Sequence, residues 1–99
     1  VIIKSIKLDD EFEKLEFLQN FIKEGSNKKA IDIACGAGKN TIYLAQNGFD
    51  VDAVDIAKVA LDALDKYAKD QGLSDLINTK LIDLDNFIPK PNTYGLALM

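Results

Sequence analysis

Residues 30–41 read AIDIACGAGKNT, and this stretch decides the fold of the chain. Its first six residues form a short, mostly apolar run, which is typical of a β-strand buried on both faces of a sheet. Two glycines, Gly36 and Gly38, then break the run, and a helical pattern follows to about Gln46. A strand that leads into a glycine-rich turn and then a helix lets a ligand approach bare backbone beside a helix N-terminus.

The rest of the chain alternates between strand and helix patterns. We predict further strands over residues 51–55 and 76–82, and a fourth strand that begins at Tyr94. A helix over about residues 57–71 separates two of them, and an amphipathic helix is predicted for residues 9–24. Strands that alternate with helices favour a parallel α/β sheet. The apolar stripe predicted for the long helix consists of Ile56, Ala60, Ala63, Leu64 and Tyr67.

The composition is that of an ordinary globular domain. The chain has 99 residues, of which 47% are hydrophobic and 28% charged, with a net charge of −4. That length is enough for one small domain with a thin core. All basic residues are lysines, so the arginine forks that favour phosphate and guanine recognition are missing. The negative excess lies in residues 30–99, and we therefore expect no nucleic-acid partner for that part.

Cysteine and histidine usage restricts the chemistry further. The single cysteine, Cys35, cannot form an internal disulfide, which fits a reducing compartment. The sequence has neither a long apolar run nor a signal-peptide pattern at its N-terminus, so we expect a cytoplasmic protein without a membrane partner. Histidine is absent, which excludes a Ser-His-Asp triad or a Cys/His metal cluster within the chain, and we expect no metal site.

Two widespread phosphate-binding loops do not match the glycine turn. The dinucleotide fingerprint G-x-G-x-x-G/A requires a small residue at its third conserved position, where this chain has the β-branched Thr41. A P-loop requires a glycine five residues before the Gly-Lys pair and a serine or threonine after it. The chain has Ile33 and Asn40 at those positions.

The turn instead resembles motif I of the class I (Rossmann-like) S-adenosylmethionine-dependent methyltransferases. In that motif an acid in the first strand precedes a small-Gly-x-Gly turn, and Asp32, Cys35, Gly36 and Gly38 stand in those places. The following run NTIYLA looks most like the small bacterial methyltransferases that act on tellurite and thiopurines. The resemblance covers about residues 30–99. It implies a three-layer Rossmann-like α/β fold with a parallel sheet of strand order 3-2-1-4, preceded by the N-terminal helix.

The resemblance also implies a cofactor site at the carboxyl ends of the strands. The backbone of residues 36–38 would face the methionine part of S-adenosylmethionine, with Asp32 near its ammonium group. Asp55 would accept hydrogen bonds from the ribose hydroxyls, and Ile56 would lie against the adenine. Asp83, or Asp85 in a shifted register, would accept from the adenine amino group. The candidate cofactor-binding residues are Asp32, Ala34, Cys35, Gly36, Ala37, Gly38, Asn40, Thr41, Asp55, Ile56, Asp83 and Leu84.

Each of these features also has a purely structural interpretation. The glycines could form a tight turn without a ligand, Asp55 could cap the following helix, and Ile56 could be a core residue of that helix. Cys35 is best interpreted as a small apolar residue and not as a nucleophile. No residue is a persuasive catalytic base, and three are candidates by residue type alone: Lys39, Tyr43 and Tyr94.

The fourth strand departs from the family pattern. Family members usually open this strand with an aromatic residue and an acid, but here Tyr94 is followed by Gly95. They also continue for several more strands, so the sheet looks truncated after the fourth. We expect an exposed apolar edge at residues 96–99, and hence either a fragment of a longer chain or a homodimer formed through that edge.

The expected organisation is an N-terminal helical segment, residues 1–29, and an S-adenosylmethionine-binding half-domain, residues 30–99. The expected function is methyl transfer from the sulfonium to a small-molecule acceptor by in-line displacement. The alternatives are a non-catalytic S-adenosylmethionine-binding module that acts as a sensor or scaffold, a structural α/β domain, and a dehydrogenase fragment, which Thr41 disfavours.

Overall fold

Parallel strands and two helices make up the part of the chain that the structure, a computed structural model, describes: residues 2–4, 27–33, 35–83 and 93–98. In chain order the elements are β1 (Ile2–Lys4), β2 (Lys29–Ile33), α1 (Lys39–Gln46), β3 (Asp50–Asp55), α2 (Lys58–Asp70), β4 (Ile77–Leu81) and β5 (Leu96–Leu98). The predicted strands and the two predicted helices after residue 30 are therefore present, with ends shifted by one or two residues.

The strands form one sheet in the order β1-β5-β2-β3-β4, and every neighbouring pair is parallel. The predicted order 3-2-1-4 corresponds to β4-β3-β2-β5 and is confirmed. In the register, Ile33 lies opposite Val54, and Asp55 lies opposite Leu81. The carboxyl ends of β2, β3 and β4 consequently lie side by side, which is where open parallel sheets bind their ligands.

Strand β1 was not predicted, and it corrects the expectation about the edge of the sheet. Its Ile2 lies opposite Leu96 and its Lys4 opposite Leu98, so β1 occupies the edge of β5 that was expected to be exposed. That prediction was wrong because a three-residue strand is too short to show any periodicity in the sequence. It still pairs backbone groups that would otherwise be a site for association. The expected homodimer relied on that exposed edge and loses its premise.

Helices α1 and α2 pack on the same face of the sheet. Leu44 of α1 belongs to a buried cluster with Ala30, Val51 and Leu96 of three strands. A second cluster joins both helices to β3 and β4 through Ile42, Ala45, Ala53, Leu64, Ala68 and Ile77. On the opposite face a third cluster is formed by Ile31, Val54, Tyr94 and Ala97. The N-terminal helix predicted for residues 9–24, and the layer that it would supply, lie outside the described residues.

The buried face of α2 differs from the predicted stripe. The helix buries Leu61, Leu64 and Ala68, so only Leu64 of the predicted set is buried. Ile56 is 66% exposed and Tyr67 is 48% exposed. The predicted apolar stripe was wrong for two reasons. The helix begins at Lys58, which leaves Ile56 outside it, and alanines indicate the buried face less clearly than larger side chains do. Within the described ranges, neither helix is long and apolar enough to span a bilayer.

Candidate cofactor site

The glycine turn joins β2 to α1 and is held against the end of β3. The backbone N–H of Cys35 donates to the carbonyl oxygen of Val54 at 3.1 Å, and the N–H of Gly38 closes the turn onto the carbonyl of Cys35 at 3.0 Å. Gly36 and Gly38 have φ angles of 56° and 82°. Both lie in the left-handed region that glycine adopts without the steric cost other residues incur.

The two glycines have different surroundings. A Cβ on Gly36 would meet no heavy atom of the described residues within 4 Å, so this position opens onto free space. A Cβ on Gly38 would overlap both δ-methyl groups of Leu64, with the Cδ2 at 2.8 Å. Gly36 therefore leaves room for a ligand beside the backbone, whereas Gly38 lets the turn pack closely on α2. The sequence assigned both residues to the ligand.

Asp55 ends β3 and binds the turn directly. Asp55 is 9% exposed. One carboxylate oxygen accepts from the backbone N–H of Ala57 at 2.9 Å, and the other accepts from the N–H of Gly36 at 2.8 Å. These two bonds hold the pKa of Asp55 below its ordinary value, and the bond from Ala57 has the larger effect. Because each carboxylate oxygen can accept more than one hydrogen bond, Asp55 keeps acceptor capacity beyond these two bonds.

The helix-cap interpretation of Asp55 does not describe the observed geometry. The N-cap residue of α2 is Ala57, and no side chain caps the first turn of that helix. Asp55 bonds the N–H of Ala57 itself, two residues along the chain, and not the N–H groups within the helix. Its carboxylate therefore connects the start of α2 with the glycine turn.

Asp32 lies in β2 and is 4% exposed. The hydroxyl of Thr41 donates to its carboxylate at 2.7 Å. Burial raises the pKa of Asp32, the negative charge of Asp55 raises it further, and the hydrogen bonds from the Thr41 side chain and backbone oppose both. This pairing was not predicted. A buried acid requires a donor, and Thr41, in the first turn of the following helix, was the sequence signal that could have indicated one.

The two acids make the turn negative. Among the ion pairs of the described residues, none includes Asp32 or Asp55. Cys35 is half-buried beside them, and burial followed by the charges of the two acids raises the pKa of its thiol to about 12. The thiol is therefore neutral at physiological pH and packs against the core around Leu64. The negative charge of the two carboxylates suits a cationic group and would repel a phosphate.

The other predicted residues lie around this turn. Ile56 follows Asp55 and is exposed, so it is not a core residue of α2. The N–H of Ile82 donates to the Asp55 carbonyl at 3.0 Å, which places the exposed Asp83 directly beyond this junction of β3 and β4. Ala37 is exposed and Asn40 partly exposed at the start of α1. Three predicted positions lie outside the described residues: Ala34, Leu84 and Asp85.

An open cleft of about 270 Å³ lies beside the turn, between the two helices. It is lined by Ala37, Lys39, Ile42 and Tyr67. Lys39, a candidate base by residue type, thus lies on the helix side of the turn. Within the described part of the chain, no group of three or more Cys, Asp or Glu side chains is arranged to hold a metal ion.

A second polar cluster, which the sequence did not reveal, lies on the opposite face of the sheet. Asp52 is buried and accepts a short hydrogen bond from the Tyr94 hydroxyl. Lys29 donates to Asp50 at 3.0 Å and to Asp52 at 3.2 Å, and Lys80 lies 3.6 Å from Asp52. Burial and the contact with Asp52 raise the pKa of Tyr94. The Tyr94 hydroxyl is thereby held by Asp52 on this opposite face of the sheet.

Comparison with known proteins identifies the family. The family model of the tellurite resistance protein TehB matches residues 13–96. The ubiquinone biosynthesis O-methyltransferase of Histophilus somni (strain 2336) is 29% identical over 77 residues, which are 78% of this chain and 32% of that enzyme.

Solved structures share the fold. TehB from Haemophilus influenzae superposes with a TM-score of 0.60 at 28% identity, over 70% of this chain and 23% of that chain. The geranyl diphosphate C-methyltransferase of Streptomyces coelicolor A3(2), solved with Mg²⁺, geranyl diphosphate and S-adenosyl-L-homocysteine, gives a TM-score of 0.68. Its identity is 16%, over 88% of this chain and 34% of that chain, so it shows the fold alone.

The chain spans about a third or less of the length of these relatives. The family match nevertheless covers most of the chain, and it includes β2, β3 and β4, the glycine turn and the two acids in the order that the resemblance implied. The predicted family is confirmed: the chain belongs to the TehB family of class I S-adenosylmethionine-dependent methyltransferases.

Proposed function

We propose that this chain is the S-adenosylmethionine-binding portion of a methyltransferase that acts on a small-molecule acceptor. One observation carries the proposal: the turn between β2 and α1 has open space at Gly36 and two acids, Asp32 and Asp55, that no described lysine neutralises. A ligand that carries both a positive charge and a vicinal diol could therefore bind the two acids at this one turn.

The residues present fit this cofactor. The free space at Gly36 admits a chain of atoms beside the backbone, and the nearby Asp32 provides the negative charge for an ammonium group. Asp55 is held in place by two backbone N–H groups, so it offers a pre-oriented acceptor to a ribose diol. Ile56 presents an exposed apolar surface next to Asp55, which suits an adenine ring. Asp83 would be the acceptor for the adenine amino group.

The cofactor, when bound, supplies a methyl group activated by its sulfonium. The contribution of this chain is then to bind and orient the donor, because displacement requires the acceptor atom to lie in line with the breaking bond. The negative strand ends and the lack of arginine support a small-molecule acceptor over a nucleic acid. We keep a cytoplasmic location as part of the proposal, supported by the free thiol of Cys35.

Calorimetry tests the proposal with three ligands: S-adenosylmethionine, S-adenosylhomocysteine and NAD. We expect heat from both sulfur compounds and none from NAD. Asp55→Ala should weaken binding of S-adenosylhomocysteine by roughly 10- to 100-fold, the worth of hydrogen bonds to a charged group. Asp62→Ala is the matched control, because Asp62 is exposed and pairs only with Lys58 among the described contacts.

Circular dichroism must show that each variant is folded. A folded protein that gives no heat with either sulfur compound would refute cofactor binding altogether. Binding without transfer of a labelled methyl group to oxygen, nitrogen, sulfur or metalloid acceptors would favour a non-catalytic sensor or scaffold. Calorimetric binding of NAD alone would instead support the dehydrogenase alternative, in spite of Thr41.

A further inference from the structure

Thr41 is fully buried in the first turn of α1 and faces β2. Its hydroxyl donates to Oδ2 of Asp32 at 2.7 Å, and this is the one side-chain hydrogen bond to Asp32 among the described residues. The backbone N–H of Thr41 also lowers the pKa of Asp32, in the same direction as the hydroxyl. The hydroxyl thus fixes the Oδ2 oxygen of the buried carboxylate from the helix side.

We propose that Thr41 is a positioning residue that orients Asp32 and thereby selects ligands carrying an amino group at the glycine turn. This inference rests on the proposed function, since it assigns the Asp32 carboxylate to the ammonium group of the cofactor. Thr41 itself would not touch the ligand. It acts by fixing the Oδ2 oxygen, and with it the orientation of the Asp32 carboxylate.

The charges around Asp32 explain why a neutral hydroxyl is needed. Asp55 on the neighbouring β3 is negative and Cys35 in the turn is a neutral thiol, while β5 places Leu98 opposite Asp32 in the register. Burial and Asp55 both raise the pKa of Asp32, and the two hydrogen bonds from Thr41 oppose them. Without the hydroxyl, Asp32 would take up a proton at a higher pH and lose its attraction for a cation.

The same position explains how the turn differs from a dinucleotide-binding turn. That fingerprint places a small residue here so that helix and strand pack closely. This chain places a β-branched hydroxyl residue, which fills the space between α1 and β2 and satisfies the buried acid at the same time. A helix-facing glycine or alanine at position 41 would leave Asp32 without its side-chain donor.

The test compares three ligands that share one nucleoside. S-adenosylhomocysteine carries an aliphatic amino group and a carboxylate on its homocysteine part. Its decarboxylated form keeps the aliphatic amino group, and 5′-methylthioadenosine has neither group. Thr41→Val keeps the shape of the side chain and removes the hydroxyl, whereas Thr41→Ser keeps the hydroxyl. Dissociation constants are measured by calorimetry from pH 5 to pH 8 for each protein, with circular dichroism as the check on folding.

We expect Thr41→Val to bind both amino ligands about tenfold more weakly at pH 7, the worth of a hydrogen bond to a charged group, and 5′-methylthioadenosine within about twofold. Thr41→Ser should restore the preference for the amino ligands. As the pH is lowered, Thr41→Val should lose this preference at a higher pH than the unaltered protein. A purely structural role would weaken all three ligands together and would leave the pH profile unchanged.

Three outcomes would overturn the inference. Thr41→Val could weaken the binding of all three ligands equally, or it could leave the preference for the amino ligands unchanged. Thr41→Val and Thr41→Ser could also change the dissociation constants equally. If Thr41→Val does not fold, Thr41→Cys takes its place, because a thiol has a similar size and donates weakly. Its preference must then fall below that of the unaltered protein, and an unchanged preference refutes the inference. Failure of the unaltered protein to bind S-adenosylhomocysteine would refute the proposed function instead.

Discussion

Gly38 lies directly against Leu64, so closely that a Cβ on the glycine would overlap both δ-methyl groups of the leucine. Leu64 is fully buried in the cluster that joins both helices to β3 and β4. The second glycine of the turn is thus part of the core. Gly36, two residues earlier, faces free space. Stability and ligand access are therefore divided between two glycines that are indistinguishable in the sequence.

Alanine at these two positions should separate the two roles. Gly38→Ala combines left-handed strain with overpacking against Leu64 and should lower the free energy of unfolding by roughly 2–4 kcal/mol. Gly36→Ala introduces the left-handed strain alone and should lower the free energy of unfolding by about 1–2 kcal/mol. It should, however, weaken S-adenosylhomocysteine binding more than Gly38→Ala does. Urea denaturation and calorimetry measure the two effects. Equal losses of stability would contradict the assignment.

Two buried aspartates should respond in opposite directions to conversion to asparagine. Burial raises the pKa of Asp32, so its favourable contribution to folding is complete below the ordinary aspartate pKa and is lost as the pH rises through the raised value. Asp32→Asn should therefore increase the free energy of unfolding at pH 7 while weakening binding of the amino ligands about tenfold. Urea denaturation at pH 7 and calorimetry check the two halves.

Asp52→Asn is the matched comparison. Burial alone would raise the pKa of Asp52, but hydrogen bonds from Tyr94 and Lys29 and the charges of Lys29 and Lys80 lower it overall. Its contribution is present above the ordinary aspartate pKa and is lost as the pH falls through the lowered value. Asp52→Asn should lower the free energy of unfolding at pH 7 by about 1–3 kcal/mol. A change of the same sign in both variants would refute this difference.

Removal of the Tyr94 hydroxyl should make the protein more sensitive to acid. Tyr94→Phe deprives the buried Asp52 of a donor and should lower the free energy of unfolding by about 1–2 kcal/mol at pH 7. The pKa of Asp52 should then rise, so that acid unfolding begins at a higher pH. Tyr67→Phe, on a half-exposed ring, is the control and should change stability by less than about 0.5 kcal/mol. Coincident acid-unfolding curves for the two variants would disprove the assigned role.

Gly95 follows Tyr94 and lies directly against Asn27, which leaves no space for a side chain. A Cβ on Gly95 would overlap the backbone oxygen of Asn27 and stand 2.6 Å from its Oδ1. Gly95→Ala should therefore lower the free energy of unfolding by about 1–3 kcal/mol in urea denaturation. Asn27→Ala should not rescue it, because the backbone oxygen remains. Full rescue would show that only the Asn27 side chain is in the way.

The sequence was sufficient wherever the signal is local. The apolar run before Gly36 and the helical pattern after it predicted β2 and α1, because strand and helix periodicities are properties of neighbouring residues. The positions of Asp32 and Asp55 in successive strands predicted that both would reach one edge of the sheet, since parallel strands end together. The family and the sheet order followed from the resemblance of residues 32–38 to motif I of the family, which is likewise a pattern of neighbouring residues.

The sequence failed wherever the decisive contact joins distant residues. The pairing of β1 with β5 involves three residues at each end of the chain, too few to produce a pattern. The buried face of α2 was misjudged because alanines carry little directional information, and it was decided by where the helix meets β3 and β4. The cluster of Lys29, Asp52 and Tyr94 draws on β2, β3 and the segment before β5, so no window of sequence contains it.

The sequence by itself determined that a glycine turn between β2 and α1 exists, and that two acids accompany it, because a turn is a property of consecutive residues. Only the tertiary structure decided that Gly38 belongs to the core and Gly36 to the open side, and that Thr41 is the donor for Asp32. These assignments depend on what packs against each atom. That packing is set by long-range burial, in which residues far apart in the chain exclude water from one another.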